Sequence, residues 1–241
     1  MTVQSNSEQT FAQHLTELKN RSLYSALSIV IGSVIGYIYR VEILKFLILP
    51  LKQSIYYTSP VGGFDLTFKV SILFGVIVSF PVIVYQILKF LQPAIPQNYK
   101  MSLDKFLVAS WMLLMMGVAT AYYLSLPAAL NFLSEFGSDQ VRALISAQDY
   151  FIFVLSYLGG FGLLFQLPII MLLIHKITPL NPKKLLHYLR YVILVSFIVA
   201  AILTPTPDPI NQTIMALPII LLYVITIGII SIYPKPVYVK Q

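Results

Sequence analysis

Six stretches of this 241-residue chain are apolar for long enough to cross a lipid bilayer, and that property constrains its fold more than any motif does. A hydrocarbon core of about 30 Å needs roughly 20 apolar residues at about 1.5 Å of helical rise each. The spans read as about 22–41, 67–90, 105–130, 150–175, 189–204 and 210–230. Outside them there is little with which to build a soluble globule. Hydrophobic residues make up 58% of the chain and charged residues 10%, where soluble domains carry about 25% charged. The expected fold class is an all-α polytopic membrane protein: one membrane domain over 1–241, with an N-terminal segment at 1–21 and a tail at 231–241. The polar N-terminal segment carries Glu8 and Glu17 and lacks the basic start and cleavage site of a secretory signal. It also lacks the Arg- and Ser-rich character of a transit peptide, so the first span is expected to be retained.

Charge sets the expected orientation. With the N-terminus on the cis side (cytoplasm, stroma or matrix), that side holds Lys19, Arg21, Lys89, Lys100, Lys105, Lys176, Lys183, Lys184, Arg190, Lys235 and Lys240. The other side holds Arg40, Lys45, Lys52, Lys69 and Arg142. The positive-inside rule then places both termini cis. The net charge of +7 does not indicate nucleic acid, because the basic residues are dispersed and form no run or basic face. The loop between the first two spans, EILKFLILPLKQSIYYTSPVGGFD, is semi-apolar and is expected either to lie in the interface or to form a cap. The fifth span has about 16 apolar residues, roughly 24 Å of helix. It either thins the bilayer, meets protein, or is tolerated as ordinary mismatch.

Catalytic chemistry is not apparent. The chain has no cysteine, which removes disulfides, thiol catalysis and Cys-based metal sites. It has no HExxH, GxSxG or Walker loop and no paired acids within a span. His14, His175 and His187 lie near cis ends of spans without clustering. No enzyme and no cofactor is expected. A small-solute transporter, the alternative class, would carry inverted repeats and broken helices at matching places in its halves, and neither is visible. No ring of like charges or filter sequence points to ion conduction.

Several polar residues stand where apolar ones would be cheaper. Ahead of the first span, HLTELKNR puts His14, Glu17 and Arg21 on one helical face through spacings of three and four. Glu17 and Arg21 form either a surface pair worth roughly 0.2–0.5 kcal/mol or a carboxylate held for a guanidinium from another molecule. The lipid boundary would strengthen the second arrangement. After the second span, Phe90 precedes Pro93 by three residues, which suggests a helix end with the ring packed on the following turn. Gln166 sits in an apolar helix just ahead of Pro168, either as a functional group or as an interhelical hydrogen bond. Gly32, Gly36, Gly159, Gly160 and Gly162 are expected to allow close helix packing. In LTPTPDPINQT, Asp208 is placed to cap the sixth helix, and Gln212 follows one turn later.

As an ordered set, HLTELKNR, LILPLK with Pro50, FPVIVYQILKFLQPAI, AYYLSLPAALNFL, FGLLFQLPI, RYVILVSFIVAAILTPTPDPINQT and ALPIILLY resemble the TatC family. TatC is the multispanning receptor subunit of the twin-arginine protein translocase, and the match covers nearly the whole chain. The resemblance implies a cupped bundle of six helices with a short fifth and sixth and both termini cis. It implies a Sec-independent translocase subunit that binds twin-arginine signal peptides and nucleates a complex moving folded cargo with the proton gradient. Signal-peptide binding would fall to Glu17, Lys19, Arg21, Phe90, Pro93 and Lys100. Gln166 would line the concave face, and Pro50, Asp208 and Gln212 would lie at the trans mouth or where partner helices pack. The implied partners are TatA- and TatB-like single-span proteins, signal peptides of folded cargo, and further copies in a larger complex.

The chain departs from the family pattern in three places. Tyr99 stands where a second acid is common, with Asp104 as a substitute; Gln166 replaces the Glu of many bacterial members; and Val224 replaces a Glu of bacterial sixth helices. Gln166 and TPTPDP suggest a plastid thylakoid protein, with a cyanobacterial membrane as the alternative.

Overall fold

The computed structural model describes residues 11–51, 53, 55–94, 102–135, 144–203 and 209–232. Lys100 and Asp208, with Tyr99 and most of the C-terminal tail, lie outside the described residues. The helices are α1 (Phe11–Ile38), α2 (Arg40–Ile48), α3 (Gly62–Leu91), α4 (Leu103–Thr120), α5 (Leu126–Glu135), α6 (Ala147–Leu164), α7 (Leu167–Ile177), α8 (Pro182–Leu203) and α9 (Pro209–Ile232). Among the described residues, six helical stretches are long and apolar enough to cross a membrane, the last two of 21 residues each and the others of 26 to 31.

Two spans are interrupted, which hydropathy did not reveal. The third changes from α4 to α5 through a π-helical turn at Ala121–Ser125. The fourth breaks at Phe165 and Gln166, where Pro168 cannot donate to the helix before it. The fifth also differs from expectation, since α8 starts at Pro182 and not near 189. Asn181 caps it, accepting from the Lys183 N–H at 3.0 Å, and Pro182 suits a first helical position. The helix is 22 residues long, or about 33 Å. Its first turns carry Lys183, Lys184, His187 and Arg190, so the shortness belongs to its apolar part alone.

Small residues set the packing. On α1, a Cβ at Gly32 would come within 2.8 Å of the Gly75 carbonyl, and one at Gly36 within 2.9 Å of the Ser71 carbonyl. A Cβ at Gly75 would meet the Ser33 nitrogen at 2.6 Å, so the backbones of α1 and α3 touch directly. Ser79 adds a hydrogen bond from its hydroxyl to the Ser28 carbonyl at 2.5 Å. Gly117 does the same for α4 against α6, facing the Phe161 carbonyl. The core centres on α6, whose Tyr150, Phe151, Val154, Tyr157, Leu158 and Phe161 are buried against Leu66 and Val70 of α3 and Leu126 of α5. α3, α4 and α6 pack on one another, and α1 and α8 flank this group. α1 packs on α3 at one end and α8 on α9 at the other, each leaving most of its apolar surface to lipid.

The loop after the first span is a cap. Tyr122 and Tyr150 donate to the carbonyls of Phe46 and Leu47, both at 2.6 Å, in the last turn of α2. The Leu49 N–H also reaches the Phe46 carbonyl, and Pro50 has no N–H to give. The Phe46 and Tyr122 rings stack at 4.3 Å. Beyond the cap, Tyr56 exchanges backbone hydrogen bonds with Ile145 and Ala147 at the start of α6.

Candidate functional site

At the N-terminal end of α1, a helix advances about 100° per residue, so Glu17 and Arg21 share a face. The Arg21 Nε donates to Glu17 Oε1 at 2.8 Å, and Nη2 makes a second, very short contact with the same oxygen. Nη1 points the other way and donates to Gln86 Oε1 of α3 at 3.2 Å. Four residues on from Gln86, Phe90 stacks its ring on His14 at 4.4 Å, closing the cluster from the α3 side. Both members of the ion pair are about three-quarters shielded from solvent. Beside them runs a groove of about 390 Å³ between α1 and α3, lined by Leu18, Arg21, Ser25, Ile83, Gln86 and Phe90 among others. Its walls are apolar apart from a few polar tips. The groove therefore offers an apolar surface with the Arg21 guanidinium and the Gln86 amide at its border.

The structure brings Glu17, Arg21 and Phe90 together, and His14 with them. Lys19 is exposed and, two residues from both Glu17 and Arg21, points away from the cluster. Pro93 lies exposed in the 3-10 turn Gln92–Ala94 that ends α3. Asp104 is exposed in the first turn of α4 and makes none of these contacts. Sequence reasoning does not single out Gln86. Its signal was there to find: a polar side chain within a span, on the same face as Phe90 four residues later.

Gln166 stands apart, at the break between α6 and α7. It is 7% exposed. Ser110 of α4 donates its hydroxyl to Gln166 Oε1 at 2.6 Å, and Gln166 Nε2 donates to the Ser110 carbonyl at 3.2 Å and the Gly162 carbonyl at 3.5 Å. The amide therefore ties α4 to the broken helix. Pro50 lies half-buried in the 3-10 turn Leu49–Leu51 of the cap. Gln212 is partly buried in the first turn of α9. Both lie at the opposite ends of the spans from Glu17. Among the described residues no group of three or more His, Asp or Glu side chains is placed to hold a metal ion.

Comparison with known proteins identifies the family. The family model for the Sec-independent protein translocase protein TatC matches residues 13–218. The Sec-independent protein translocase protein TatC of Carboxydothermus hydrogenoformans is 33% identical over 230 residues, 94% of this chain and 95% of that protein. The chloroplastic TATC protein of Pisum sativum is also 33% identical, over 90% of this chain and 62% of its own length. A crystal structure of the twin-arginine translocase receptor TatC in detergent superposes with a TM-score of 0.79 at 33% identity, covering 90% of this chain and 98% of that one. A match of this extent, on a six-span helical membrane protein, places the chain in the TatC family of Sec-independent protein translocase subunits.

Proposed function

We propose that this chain is the signal-receiving subunit of its translocase, with Glu17 accepting an arginine of a cargo signal peptide on the cis side. The observation that carries the reading is the carboxylate of Glu17, partly shielded at the end of a span, bonded to a guanidinium and set beside an apolar groove. A guest arginine can replace Arg21 on that carboxylate through the same forked geometry. The groove would take the apolar residues that follow, with Phe90 and Pro93 shaping its edge and Lys19 and Lys100 nearby in sequence. On this reading both termini face the stroma or cytoplasm, as the excess of basic residues on that side favours. A plastid thylakoid is the membrane favoured by Gln166 and by the likeness to a chloroplastic relative. TatA- and TatB-like single-span proteins would pack near Gln212 and Asp208, with Pro50 at the trans mouth. Folded cargo would then move at the expense of the proton gradient.

Photo-crosslinking of a precursor bearing a twin-arginine signal to the membrane-embedded chain tests the reading. Glu17→Gln should reduce capture at least tenfold, the loss of a charge-assisted pair near lipid, while membrane accumulation is unchanged. Undiminished capture would reject it.

A further inference from the structure

The groove is bordered by Arg21 and Gln86 and not by Glu17, so the guanidinium stands between the groove and the acid. We propose that Gln86 is a positioning residue that latches Arg21 over Glu17, so that an incoming arginine must open this arrangement before it can pair with the carboxylate. The inference rests on the reading of Glu17 as an arginine acceptor.

The geometry of the guanidinium supports it. A planar fork held along one edge only can swivel about that edge. Here the Nε and Nη2 edge is on Glu17 and the opposite Nη1 is on Gln86, which fixes the plane from both sides. The two anchors come from different helices, and the backbone contact at Gly32 and Gly75 sets the register between them. Gln86 is therefore presented at a fixed place and does not chase the arginine. Its chemistry also suits a latch. A neutral amide adds a hydrogen bond without a charge, so Arg21 stays with Glu17 while the site is empty. A glutamate there would draw the cation away and expose the first acid. The latch lowers affinity in the empty state and acts only through Arg21.

Equilibrium binding of a fluorescent synthetic peptide, two adjacent arginines followed by an apolar segment, to the full chain in lipid nanodiscs tests this. Gln86→Leu removes the acceptor and should tighten binding roughly three- to tenfold, the size of one modest hydrogen bond. Gln86→Asn, which keeps polarity but shortens the reach, should shift affinity in the same direction. In an Arg21→Gln background neither change should have any further effect. Glu17→Gln, measured in parallel, tests the underlying site. If it leaves binding unchanged, the acceptor reading and the latch fall together. If it abolishes binding while Gln86→Leu leaves affinity unchanged or weakens it, the latch alone is overturned. An effect of Gln86→Leu that persists without Arg21 would likewise overturn it and make Gln86 a direct contact of the peptide.

Discussion

Gln166 shows how one polar side chain is accommodated in a span. Both its amide atoms are bonded, and Ser110 supplies a donor and an acceptor to it. Replacing it with leucine would leave the buried Ser110 hydroxyl without this partner, so Gln166→Leu should lower stability by about 1–2 kcal/mol. Thermal unfolding in detergent would register this as a lower midpoint, and an unchanged midpoint would show that the clamp contributes nothing. The residues alone leave packing and function equally open here, because the partner lies 56 positions away in the sequence. The Glu17 and Arg21 pair was legible for the opposite reason: an i, i+4 spacing brings its own geometry. Gln86 escaped because its meeting with Arg21 depends on how α1 slides against α3, which no local pattern encodes.

Among the elements, the cap carries the clearest consequence. Two tyrosine hydroxyls donate to carbonyls in the last turn of α2, one from the π-helical turn and one from α6. Tyr150→Phe keeps the ring and loses the bond to Leu47, a change worth about 1–2 kcal/mol. Amide hydrogen exchange should then quicken over residues 46–51 and stay as before in α4 and α6. Exchange that rises uniformly would mean the cap is not held as a unit. Hydropathy located all six spans, since lipid demands apolar length. It said nothing about the π-helical turn, which changes neither composition nor periodicity. It also placed the start of α8 too late, because the turns holding Lys183 to Arg190 are helical yet polar. Asn181 followed by Pro182 carried the true boundary, as a cap and a first helical residue.

At the scale of the whole molecule, the absence of cysteine makes topology directly testable. With single cysteines placed at Lys19 and at Val61, a membrane-impermeant maleimide added to the cis side of sealed vesicles should label the first and spare the second. Labelling in the reverse sense would put Glu17 on the wrong side and end the receptor proposal. The Glu17 and Arg21 pair also has a kinetic consequence once the charge of the whole chain is considered. A carboxylate already matched by a guanidinium projects almost no field past the Debye length of about 8 Å in physiological salt, and the chain carries a surplus of +7. On the receptor proposal, an arginine-bearing peptide is therefore not drawn in from afar by this acid. On that proposal its arrival should not quicken as salt is lowered, whereas its dwell on Glu17 should lengthen.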